Sequence, residues 1–106
     1  MILVIGEALI DLIGHEGSNQ GYNPVVGGAN ANVAVALARA DVPHRLLARI
    51  SADSFGHKIR AHLESYKVDL SLSVAAAEQT TLAIATIDSA GVASYAFYIN
   101  GTADWA

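Results

Sequence analysis

Asp11 and the run Gly27-Gly28-Ala29-Asn30-Ala31-Asn32 are the residues of this 106-residue chain best suited to holding a ligand. A pair of glycines lets the backbone pass close to a bound molecule. A helix starting just after them aims its free N–H groups at the same point. Asn32 adds both a donor and an acceptor. A carboxylate such as Asp11 can accept two hydroxyl protons, which suits a vicinal diol. Together they outline a polyol site. The same residues also fit a plain helix entry, with the glycines making a turn and Asn30 or Asn32 acting as a cap.

Other chemistries lack their residues. Gly27-Gly28 is not followed by lysine and Ser/Thr, so there is no Walker-type phosphate loop. Gly6-Glu7-Ala8-Leu9 lacks the glycine spacing of a dinucleotide fingerprint. His15, His44, His57 and His62 show no zinc-ligand spacing, and each is expected on the surface. The chain has no cysteine, hence no disulfide framework and no thiolate metal site; that fits the cytoplasm. No metal site is expected. A formal charge of -4 gives no basic patch, so nucleic acid and anionic membrane are poor partners.

Alternating strands and helices must position the polyol residues. Ile2 to Ile5 is an aliphatic run of the kind covered on both faces. It lacks a basic n-region and soon meets Glu7 and Asp11, so it reads as a first strand and not a signal peptide. Ala8 to Ile13 continues it past Gly6, and His15 to Gly21 is a loop. Tyr22 to Val26 is a short strand. Ala29 to Ala40 is a helix apolar on nearly every face, which implies a buried helix. Asp41-Val42-Pro43 ends it. Arg45 to Ile50 reads as a core strand, and Asp53 or Ser54 caps a helix through Tyr66, with Phe55, Ile59, Leu63 and Tyr66 as its buried stripe. Val68 to Val74 resembles a further strand. Thr80 to Ile87 and Ala93 to Ile99 are strands joined at Asp88-Ser89-Ala90-Gly91, a hairpin turn. The pattern is α/β with an antiparallel addition. No stretch is long and apolar enough to cross a bilayer. Hydrophobic residues make up 53% and charged residues 15%. So apolar a chain either buries its surface very efficiently or lacks a partner layer.

Several of these segments, in order, resemble the PfkB/ribokinase family of carbohydrate kinases. Gly6-Glu7-Ala8-Leu9-Ile10-Asp11 and Val26-Gly27-Gly28-Ala29-Asn30-Ala31-Asn32-Val33-Ala34, with Leu37-Ala38-Arg39, are similar to its first signature. Ile50-Ser51-Ala52-Asp53-Ser54-Phe55-Gly56 and Val68-Asp69 follow at the family's spacing. Thr81-Leu82-Ala83 to Asp88, Tyr95 to Tyr98 and Ala103-Asp104 continue the likeness, which spans essentially the whole chain.

The resemblance implies residues 1–106 are the amino-terminal part of a ribokinase-like domain: a partial α/β sheet core with an antiparallel β lid. Lid strands are expected at about 9–13, 22–26, 82–87 and 93–99. It further implies that Asp11, Gly27, Gly28, Asn32 and Phe97 contact a sugar. It implies ATP and Mg2+ as cofactors, with their sites and the catalytic base outside this chain, and a homodimer formed through the lid. Asp53 matches a common family acid, but helix capping explains it without a ligand. Asp41 and Ser51 stand where the family commonly has glycine, and Asn30 where it often has proline. In members acting on acidic sugars, an arginine follows the aromatic pair of the last lid strand; here Ile99 follows Phe97-Tyr98. Burying a carboxylate against isoleucine is unfavourable, so a neutral, fructose- or ribose-like sugar is expected. The alternatives are a kinase for a 2-keto-3-deoxy sugar acid and a non-catalytic sugar-binding or oligomerisation fragment.

Overall fold

The computed structural model describes residues 1–105; Ala106, the last residue of the expected domain, lies outside them. In chain order the first elements are β1 (Ile2–Ile5), β2 (Leu9–His15), β3 (Tyr22–Gly27) and α1 (Ala29–Arg39). Then follow β4 (His44–Leu47), β5 (Arg49–Ser51), α2 (Ser54–Ser65) and β6 (Val74–Ala76). Last come β7 (Leu82–Ile87), β8 (Ala93–Tyr98) and a short 3-10 turn at Ala103–Trp105.

These strands divide into a core layer and a separate sheet. In the core, β1 pairs in parallel with β4, and β5 in parallel with β6. Helix α1 lies on β1 and β4; helix α2 lies on β5 and touches β2 and β3. The second layer is a four-stranded sheet of order β3-β2-β7-β8. Ile10, Leu46, Ile50, Ile59 and Leu63 are fully buried where the layers meet. The core is thus aliphatic and made by both layers at once. No described helix is long and apolar enough to cross a membrane.

The structure departs from the sequence expectations at several points, each with a local cause. The opening apolar stretch is not one strand: it breaks at residues 6–8, and β1 and β2 belong to different sheets. Arg45 to Ile50 is likewise divided at Ala48, whose N–H takes a hydrogen bond to Ser73 Oγ (3.3 Å) rather than to a neighbouring strand. Most of Val68 to Val74 is turn. Asp69 Oδ1 accepts from both Ser71 N (2.9 Å) and Ser71 Oγ (2.6 Å), a local side-chain turn that competes with strand pairing. Strand β6 therefore starts only at Val74.

The addition expected to be antiparallel is mixed. β2–β3 and β7–β8 are antiparallel, but the central pair β2–β7 is parallel. Parallel neighbours need a long crossover, and here residues 16–81, holding most of the core, make it. The expected hairpin turn is present: Gly91 (φ 81°) completes it, and Asp88 Oδ1 accepts from Ala90 N and Val92 N, both at 2.9 Å.

Helix α1 is covered on one face only. Ala31 and Ala34 are buried, whereas Val33 is 49% exposed, because the described residues supply a single layer beneath it. Its end explains one unusual residue: Asp41 adopts φ 56°, the left-handed conformation glycine usually supplies. In α2 the stripe holds at Ile59 and Leu63, but Tyr66 falls past the helix end and is exposed. His44 is buried, not on the surface. Its Nδ1 bonds the Val42 carbonyl at 2.9 Å, and Nε2 accepts from Asp69 N at 3.2 Å.

Candidate functional site

Strand pairing sets Asp11 in a row. It lies opposite Val25 on β3 and Ala83 on β7, and Ala83 lies opposite Phe97 on β8. Opposed residues project to the same face, so Asp11, Ala83 and Phe97 share one face of the four-stranded sheet. Two strand spacings put roughly 10 Å between the ends of that row. Ala83, the small residue in the middle, is buried, and Tyr95 stacks on Phe97 along β8 with ring centroids 6.1 Å apart.

The two glycines serve different needs. Gly27 ends β3 beside Asp11, and a methyl there would run into Asp11 Oδ2. Its missing side chain is the space the carboxylate occupies. Gly28 has φ 102°, and a Cβ would stand 2.7 Å from the Glu7 carbonyl oxygen. It is also the N-cap of α1, with no side-chain cap bond, and the first helical bond runs from Asn32 N to its carbonyl (3.0 Å). The first turn of α1 therefore starts next to the Asp11 carboxylate with unpaired donor capacity. Asn32 is exposed one turn into the helix, and Asn30 donates to the Ile5 carbonyl at 3.1 Å, tying α1 to β1. Burial raises the Asp11 carboxyl above its ordinary 3.8.

Asp11 and Gly27 are thus in contact, Gly28 and Asn32 continue from them, and Phe97 shares the face of Asp11. Two concavities lie elsewhere. One, of about 710 Å³, opens at the carboxyl ends of β1 and β4 among Glu7, Asn30, Arg49 and Asp104. Another, of about 510 Å³, lies between Asp53, Thr80, Phe97 and Ile99. Of the five expected contacts only Phe97 borders either. No three His, Cys, Asp or Glu side chains converge among the described residues, so neither Mg2+ nor a step through it is assigned to them.

Sequence reasoning missed a polar network at the base of the sheet. Asp53 caps α2 through Gly56 N (2.7 Å) as expected, but also accepts from Thr80 N (2.8 Å) and Thr80 Oγ1 (2.6 Å). Burial alone would raise its carboxyl; hydrogen bonds from Thr80, Gly56 and Ser51 outweigh that and hold it below the ordinary value. Ser51, standing where glycine is common, steadies the cap in turn, since its Oγ accepts from Asp53 N at 3.0 Å. Thr81 Oγ1 donates to Thr102 Oγ1 (2.8 Å) out of water. Arg49 Nε donates to the Ala103 carbonyl (2.9 Å), and its Nη2 meets Glu78 at 2.5 Å.

Asp104 is the other omission. Its Oδ1 accepts from Ala8 N at 3.4 Å, while Oδ2 is buried with no partner among the described residues. Burial raises its carboxyl, with Thr81 and Ala8 opposing and Glu7 adding to the rise. Adjacent threonines and an Ala-Asp pair carried no periodic signal that could have announced these contacts.

Residues 1–106 match, along their whole length, the family described as pfkB family carbohydrate kinase. The chain belongs to that family. A fructokinase of Rhizobium leguminosarum bv. trifolii is 36% identical to this pfkB-family chain over 105 residues, covering 97% of the chain and 32% of the fructokinase. A fructokinase of Klebsiella pneumoniae is 33% identical over 104 residues, covering 97% and 33%. Among solved structures, fructokinase with bound ATP from Xylella fastidiosa superposes with a TM-score of 0.87 at 31% identity, over 97% of this chain and 34% of that one. An uncharacterised sugar kinase of Pyrococcus horikoshii in complex with ATP gives 0.83 at 30% identity, over 97% and 35%. The pfkB-family chain thus spans about a third of the length of the curated relatives it matches. Its sheet core is that of these ribokinase-like structures.

Proposed function

We propose that these residues are the sugar-holding part of an ATP-dependent carbohydrate kinase, acting on a hydroxyl of a neutral, fructose- or ribose-like sugar. The observation that carries the reading is the Asp11 carboxylate seated over Gly27, beside the uncapped start of α1. A carboxylate accepts hydroxyl protons from a diol, and the neighbouring N–H groups donate to sugar oxygens. Asn32 adds a donor and acceptor one turn on, and Phe97 presents an apolar ring to a sugar face. The four-stranded sheet is read as a lid over this position, and as the surface on which two copies pair. ATP would supply the phosphoryl group, and phosphoryl transfer needs it positioned with a metal ion and a base. None of those roles is given to a residue of this chain. A cytoplasmic setting goes with the reading. That the Rhizobium, Klebsiella and Xylella relatives are fructokinases, and that Ile99 offers no cation beside Phe97, favours a neutral sugar over a sugar acid.

The test is a substrate panel on the complete polypeptide in which these residues act, with ATP as donor. Fructose or ribose is expected to be phosphorylated in preference to 2-keto-3-deoxygluconate. A clear preference for the sugar acid would overturn the neutral-sugar reading. Binding of sugar without any phosphorylation would favour the non-catalytic module.

A further inference from the structure

The chain passes four times between the core layer and the four-stranded sheet, and at one passage a single carboxylate holds both sides. Capping α2 needs one oxygen of Asp53, the Oδ1 that accepts from Gly56 N. Yet Oδ2 accepts from Thr80 N, and Oδ1 also takes the Thr80 hydroxyl. Thr80 is 5% exposed and lies just before β7. The residues next to it bind the rest of the sheet's base. Ile10 N donates to the Thr81 carbonyl (3.2 Å), Thr81 is bonded to Thr102, and Ala103 N donates to the Gln79 carbonyl (2.8 Å). Strand β7 is central, paired on both sides, and its Ala83 is the midpoint of the row from Asp11 to Phe97.

The geometry points to Asp53 as a positioning residue: by holding Thr80 at the N-terminus of α2, it sets where the sheet carries Asp11 and Phe97 relative to the start of α1. This rests on the sugar-binding reading above. The carboxylate is assigned no sugar contact and acts through Thr80 and β7. A helix cap alone would leave the base of β7 tied to the core only indirectly, through Ala103, which bonds both Gln79 and Arg49; the shared carboxylate links α2 to β7 directly.

Asp53→Asn separates the two roles. Asparagine caps a helix about as well as aspartate, but its amide nitrogen would replace Oδ2 and aim a donor at Thr80 N–H. In the complete polypeptide, backbone amides of Leu82–Ile87 are expected to exchange with solvent faster, while those of α2 keep their protection. KM for the sugar is expected to rise about tenfold, with a smaller change in kcat, as befits loss of one charge-assisted bond. Thr80→Val, which removes the hydroxyl donor and keeps the shape, is expected to move both readouts the same way. It decides the matter if Asp53→Asn does not fold. Unchanged exchange in Leu82–Ile87 overturns the tether, and faster exchange with unchanged KM overturns the positioning role. Exchange is read without substrate, so a wild-type protein that phosphorylates no sugar would refute the proposed function while leaving the tether decided.

Discussion

Asp11 and Gly27 behave as one unit, because the space of a missing methyl is where the carboxylate rests. Gly27→Ala should therefore act on sugar binding through Asp11. Removing the carboxylate itself by Asp11→Ala should weaken sugar affinity by about 1.5–3 kcal/mol, the range for a hydrogen bond to a charged group. The raised Asp11 carboxyl gives a pH test whose two readouts have opposite signs. The native state holds this proton at a higher pH than the unfolded chain does. As pH falls between the raised value and 3.8, this group therefore stabilises the fold relative to higher pH. In the proposed site a sugar hydroxyl donates to the ionised form, so sugar affinity from this group should fall over the same window. Titrating affinity and melting temperature together checks it, and Asp11→Asn should flatten both contributions. Parallel slopes would mean Asp11 does not accept from the sugar. That Asp11 and the glycine pair lie together was legible in the sequence, since a strand, a glycine pair and a helix start follow one another there. The second role of Asp53 was not, because it needs Thr80, 27 residues away, to be brought to it by the fold.

At the scale of elements, periodicity identified both helices and most strands but not how strands are shared between layers. The break at residues 6–8 is marked in the sequence only by Gly6 and Glu7, yet it sends β1 and β2 to different sheets. The same break makes Gly28 necessary, since the β3-to-α1 passage runs against the Glu7 carbonyl. Two effects oppose a side chain there: φ 102° and a contact of 2.7 Å. Gly17 shows only the first, with φ 74° and open space around the position. Gly28→Ala is expected to destabilise by about 2–4 kcal/mol, from backbone strain of roughly 1–3 kcal/mol plus the collision. Gly17→Ala is expected to lose only about 1 kcal/mol. Denaturant midpoints of the two variants in the complete polypeptide compare them directly, and equal losses would mean that the Glu7 contact carries no weight. Where the sequence misled, a side chain had diverted the backbone: Asp69 turns the chain within the stretch read as a strand.

The whole molecule shows what its composition foretold. A compact chain of this size has a radius of gyration of roughly 13 Å and an accessible surface of roughly 5,600 Å². This one has 14.5 Å and 6319 Å². Part of the exposed surface is apolar and lies on β1 and the outer side of α1. Ile2, Leu3 and Ile5 of β1 are 45%, 49% and 61% exposed, and Val33 on the outer side of α1 is 49% exposed. Among the described residues β1 pairs on one side only, leaving a free edge beside those side chains. Exposed apolar surface of this kind, next to an unpaired strand, drives association. The relatives that match are about three times as long, so they have chain to spare for covering it. The isolated 106-residue chain is therefore expected to be oligomeric, aggregated or loosely packed, and to bind a dye that reports exposed apolar surface. Light scattering after size exclusion, dye fluorescence and a thermal melt on the same sample provide the check. A monodisperse monomer with a sharp transition and no dye binding would mean that β1 and α1 are covered by some rearrangement of these residues alone.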